Sequence, residues 1–125
     1  ATPRAITAIK ALKDAGVLVA AGADNVQDPF NLVGRSDPLE TASLLILAAH
    51  ETPGNAYKMV STDARKVMNL EKADLSAGSL ADFIAIDAPS VRGAIADAPM
   101  SRKIFKGGLL ISSSLQTTQM SPEGL

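Results

Sequence analysis

The 125-residue chain has no cysteine, one histidine, three phenylalanines and one tyrosine. Without cysteine it can form no disulfide, no thiolate metal site and no cysteine nucleophile, a composition that fits a cytoplasmic location. Twelve Lys and Arg against thirteen Asp and Glu leave a formal net charge of −1. No basic field therefore draws nucleic acid, and so few aromatic rings make no base-stacking surface. No apolar run approaches the roughly 20 residues that a helix needs to cross a bilayer, so no membrane partner is expected. Ser112 to Ser114 have no histidine near them in sequence, which argues against a serine nucleophile. The opening "ATPRAITAIK" lacks both an initiator Met and the pattern of a signal peptide, so it is expected to be neither a leader nor a natural start, unless Met removal before Ala explains it. No internal repeat is present.

What is there reads as one globular chain with a modest core, 46% hydrophobic and 20% charged. Residues Thr7 to Gly16 read as a short helix, with Thr7 as cap, Ile9, Leu12 and Ala15 on one face, and Gly16 as stop. Val17 to Ala21 is continuously apolar without alternation, the pattern of a parallel strand covered on both faces. A single such strand needs neighbours, and the chain offers few. Val26 to Ser36 reads as a loop. Asp37-Pro38-Leu39-Glu40 is a helix start, with Asp37 as cap, Pro38 in the first turn and Glu40 as the second half of a capping box. That helix runs to about Ala49. A second begins at Thr52-Pro53, and a third covers Asp63 to Leu70.

From Leu75 the texture changes. "LSAGSLADFIAID" predicts a Gly-Ser turn and a strand over Ala81 to Asp87, and "SVRGAIADAP" a short helix. "RKIFKGGLLIS" predicts a hairpin about Gly107-Gly108. From Ser112 onward the chain is polar and expected to be loosely tied down.

In this order the elements resemble the C-terminal part of a metal-dependent amidohydrolase, of the cytosine-deaminase-like branch. Four stretches carry the resemblance: "GVLVAAGADNVQDPF", "GRSDPLETASLLILAAH", "VSTDARKVMNL", and "LSAGSLADFIAID" with "IFKGGLLIS". The last pair contains the pattern Gly78-x-x-Ala81-Asp82. The resemblance implies an α/β fold: the last strand and helices of a TIM barrel over residues 1–72, part of a small β-rich domain over 73–112, and a polar tail over 113–125. Such barrels take roughly 250 residues and hold their chemistry at the C-terminal ends of the strands. The fold is therefore expected to be incomplete in this chain.

The resemblance also implies the site. Asp24 is expected to be both catalytic and a metal ligand, handling the protons of the attacking water. Phe30 and Asp28 are expected at the wall of the substrate pocket. The cofactor implied is a divalent metal, zinc or iron, in the complete enzyme, with none held by this chain alone. Ala23 and Asn25 stand where cytosine-specific relatives carry His and a second acidic residue, which puts cytosine itself in question.

Each of these residues has a plainer reading. Asp24 can be a turn former in "GADN". Phe30 can plug the core, and Asp28 can bond loop amides. His50 reads as a helix end favoured by the dipole. Asp82 opens a strand, and Lys58, Arg65 and Lys66 form a solvated face. The single histidine matches none of the family's ligands, and a catalytic zinc site needs about three protein ligands.

The expected function is thus the C-terminal portion of a hydrolase of C–N bonds that deaminates a nucleobase-like or other cyclic amidine, inactive as this chain alone. Its partners would be a small heterocyclic substrate and either a second copy or the missing N-terminal part. The alternative is a non-catalytic, metal-free interaction or oligomerisation module.

Overall fold

Two prolines fix where the central helices begin. In the computed structural model, which describes residues 5–120, α1 (Ile9–Asp14) is followed by α2 (Pro38–Ala49) and α3 (Pro53–Met59). Pro38 and Pro53 both lie in a first turn, where a missing N–H costs nothing. Asp37 Oδ1 accepts the N–H of Leu39 at 3.0 Å, and Thr52 Oγ1 that of Asn55 at 3.3 Å. α2 ends at His50, whose left-handed φ of 56° turns the chain so that the next N–H, that of Glu51, reaches the carbonyl of Leu45 at 3.2 Å. The sequence reading of His50 as a helix end holds. Three elements complete the helical part and its partner: α4 (Thr62–Val67), strand β1 (Phe83–Ile86) and α5 (Val91–Asp97), the last capped by Ser90. Strands β2 (Arg102–Lys106) and β3 (Leu109–Ser114) close the described chain.

The core is formed where three helices meet. Leu39, Ala42 and Leu45 of α2, Ala56 and Met59 of α3, Ile95 of α5 and Ile9 of α1 make one buried cluster. Ala42 and Ala56 are fully buried, and their small side chains let the helices approach closely. α5 packs on both α2 and α3, so elements on either side of residue 72 share one core. Lys13 Nζ, at the end of α1, pairs with Glu51 at 2.8 Å and fastens α1 to the α2–α3 connection.

The sheet is three-stranded and antiparallel, in the order β1-β2-β3. Gly107 and Gly108 both take positive φ, 56° and 80°, which is what a two-residue turn matching the strand twist demands. Phe83 and Phe105 face each other across β1 and β2 with stacked rings 4.5 Å apart. Asp82 closes the hairpin. Its Oδ1 accepts the N–H of Gly107 at 2.8 Å, while Gly108 donates to the carbonyl of Ala81 at 3.0 Å. The Ala81-Asp82 step and the Gly-Gly turn, 25 residues apart in sequence, are therefore one clasp.

Several expectations change. Val17 to Ala21 carries no strand. It has no ladder partner among the described residues; Val17 N–H bonds the carbonyl of Leu12 at 3.0 Å, and Ala21 N–H that of Met59 at 3.0 Å. Val19 and Ala21 pack on the core, while Val17 and Leu18 stay exposed. α1 starts after Ala8 with no side-chain cap, so Thr7 contributes its carbonyl rather than its hydroxyl, and only Ile9 of the expected face is buried. Glu40 does not close a capping box on Asp37. It accepts the N–H of Arg35 at 2.7 Å. Arg65 is not part of a solvated face, since it donates to the carbonyl of Glu71 and lies 3.6 Å from Asp82. The expected tail begins too early at Ser112: Ser112, Ser113 and Ser114 pair with Ile104, Lys103 and Arg102, and Ser114 Oγ bonds the carbonyl of Met100. Residues 121–125 of that tail, and residues 1–4 of the opening, lie outside the described part.

A further ion pair ties the sheet to the start of α2. Arg102 Nη2 of β2 reaches Asp37 Oδ2 at 2.8 Å, both side chains being largely buried. Burial alone would raise the Asp37 carboxyl. The hydrogen bonds from Arg102 and Leu39 and the charges of Arg102 and Arg35 outweigh it and hold the group below its ordinary 3.8. A lowered folded value means stability that is complete above the unfolded value and fades as pH falls through the folded one. Asp37→Asn is expected to cost about 1–3 kcal/mol near neutral pH. Urea denaturation should show the gap between the two proteins shrinking as the pH is lowered to about 3.

Candidate active site

The segment Val17 to Ala23 leads into a loop that fixes itself. Asp28 Oδ1 accepts the backbone N–H groups of Phe30 at 2.9 Å and Asn31 at 3.0 Å. Its Oδ2 accepts Nδ2 of Asn25. Asn31 Nδ2 donates to the carbonyl of Asn25 at 3.1 Å, and Asp28 and Asn31 also exchange backbone bonds. Gly34 is buried against this cluster. A Cβ there would stand 2.6 Å from both the Asn25 carbonyl and the Asn31 amide, so only glycine fits.

Asp24 sits at the entrance of this loop. Its side chain is exposed and makes no hydrogen bond or ion pair among the described residues. Phe30, at the other end, is 69% exposed. The structure joins Asp28 to Phe30 through the Phe30 N–H, and no hydrogen bond ties Asp24 to either. Asp28 is occupied as the plainer reading had it, bonding loop amides. Beside the loop lies a largely apolar cleft of about 460 Å³ between Ala20 to Ala23, the start of α2 at Asp37 to Thr41, and Val60, Ala64, Val67 and Met68.

No group of three His, Asp or Glu that could hold a metal ion occurs among the described residues. Asp24 is one candidate ligand without companions, so the residues at hand do not fit a complete metal centre, which needs about three. Several other acidic residues are engaged elsewhere. Asp37 caps α2, Asp82 clasps the hairpin, and Asp74 is held well below the usual carboxylate range by hydrogen bonds from Lys72 and Ser76.

The amidohydrolase family model matches residues 1–103. The chain belongs to the amidohydrolase family. Among solved structures, this amidohydrolase chain is similar in fold to 5-methylcytosine deaminase from Klebsiella pneumoniae, liganded with 5-fluorocytosine. The TM-score is 0.80 at 18% identity, and the match covers 95% of this chain and 30% of that one. The chain thus spans under a third of that enzyme's length. A search of the curated proteins found no match. No helix among the described residues is long and apolar enough to cross a membrane.

Sequence reasoning names Asp24, Asp28 and Phe30 as site residues but reads Asn31 and Gly34 only as punctuation of the Val26–Ser36 loop. The signal was present: Asn25, Asp28, Asn31 and Gly34 recur every third residue, and two amides flank a carboxylate. Gly34→Ala is expected to destabilise the protein by about 1–3 kcal/mol through overpacking. Gly22→Ala, which meets open space, should stay within about 0.5 kcal/mol. Thermal unfolding of the two variants side by side checks the contrast.

Proposed function

We propose that the chain is the C-terminal portion of an amidohydrolase that deaminates a nucleobase-like or other cyclic amidine, with Asp24 as its reacting carboxylate. The observation that carries this reading is the placement of Asp24. It is exposed and without a partner, directly after the apolar Val17–Ala23 segment, in an amidohydrolase chain whose fold matches a 5-methylcytosine deaminase over 95% of its length. A carboxylate left unspent by the fold is free to move a proton. The other acids of this part of the chain are consumed in capping and loop closure.

The chemistry this assigns to the chain is specific. Asp24 accepts the proton of a water attacking the amidine carbon and returns it to the departing nitrogen, which leaves as ammonia. Asp24 would also be one ligand of a zinc or iron ion, which would activate the attacking water, with the remaining ligands supplied by other residues of the complete enzyme. Phe30, held by the Asp28 turn, forms an apolar wall for a flat ring, and Asp28 shapes that wall from within. Leu44 and Leu47 on α2, 57% and 72% exposed, are apolar surface for the rest of a barrel or a second copy to cover. The absence of a His before Asp24 and of an acid after it supports a cyclic amidine other than cytosine.

In the protein that carries the complete site, Asp24→Asn should cut ammonia release at least about a hundredfold. The circular dichroism spectrum should not change. A non-catalytic module predicts no dependence of any turnover on Asp24, and retained deamination in the variant removes Asp24 from the reaction.

A further inference from the structure

We propose that Asn25 is a positioning residue: its side-chain amide locks the loop that carries Asp24 at one end and Phe30 at the other, and it is not a substrate contact. The lock is a closed circuit of hydrogen bonds. Asn25 Nδ2 donates to Asp28 Oδ2, and the Asn25 carbonyl accepts from Asn31 Nδ2. Asp28 returns to the main chain through the N–H groups of Phe30 and Asn31. Asn25, Asp28 and Asn31 are each half-buried, so these bonds are shielded from competing water.

The residue type is dictated by its partner. A carboxylate at Asp28 only accepts hydrogen bonds, so position 25 must donate. Its side chain must also be long enough to span the turn, which excludes Ala and Ser. A second carboxylate there would face the first at hydrogen-bonding distance and repel it. The circuit also holds a strained backbone. Gln27, between the two, takes a left-handed φ of 51°, a conformation disfavoured for a residue with a side chain. Because Asn25 follows Asp24 directly, fixing Asn25 at both its side chain and its carbonyl fixes the backbone from which Asp24 projects.

The catalytic consequence rests on the reading of Asp24 as the reacting carboxylate, whereas the lock itself does not. Two measurements keep them apart. In the 125-residue chain, the amide hydrogens of Phe30 and Asn31 should exchange slowly. Asn25→Asp should speed their exchange at least about tenfold, with the amides of α2 unaffected. The reciprocal double variant Asn25→Asp/Asp28→Asn restores a donor opposite an acceptor and should recover most of that protection. Fast exchange at Phe30 and Asn31 in the parent chain, or no recovery in the double variant, overturns the lock. In the protein with the complete site, Asn25→Asp should lower kcat/KM about tenfold, and the double variant should regain most of it. Protection that responds while kcat/KM does not overturns the positioning role. Turnover that survives Asp24→Asn overturns the reading of Asp24 and leaves the exchange result standing.

Discussion

The structure depends on the burial of Ile95 between α2 and α3. Sequence distance makes this contact costly to form, since Ile95 lies far downstream of Leu39, Leu45 and Met59, with which it forms the core. It is also what joins the helical part to the sheet. Burying such a side chain is worth about 1.5–3 kcal/mol. The fully buried Ala42 and Ala56 set how closely the helices can approach to make that burial complete. With α5 docked, Ile86 of the preceding β1 packs against the same core. Arg102 then reaches Asp37 at the helix N-terminus.

The candidate active site is built on a different principle. It takes little from the core and much from its own polar groups. Asn25, Asp28, Asn31 and the buried Gly34 satisfy one another within ten residues of chain. Such a loop holds its shape without a hydrophobic anchor, which frees Phe30 and Asp24 to face outward. The same economy sets Asp24 apart from its neighbours Asp28 and Asp37, which are spent on a turn and a helix cap.

How much was legible follows from how local each signal is. Pro38 and Pro53 announced the helix starts because a proline needs no partner elsewhere to act. Gly107-Gly108 announced its hairpin for a similar reason. Glu40 was misread because the free N–H it could satisfy at Asp37 competes with another at Arg35, and only the path of the preceding loop decides between them. Arg65 was misread because its partners, Asp82 and the carbonyl of Glu71, arrive from beyond the helix. The apolar run of Val17 to Ala21 predicts a strand, but a strand is defined by a neighbour, and none is present among the described residues.

The sequence by itself determined the helix caps, the Gly-Gly turn, the family to which the chain belongs and the identity of Asp24 as the carboxylate to watch. These are properties of short stretches, in which neighbouring residues set the backbone. Only the tertiary structure decided that Asp82 clasps the hairpin, that Asp37 is paired with Arg102, and that the amide of Asn25 is turned into its own loop. Each of those depends on which groups meet after the chain has folded, and a hydrogen bond across a turn or a fold has no counterpart in the order of the residues.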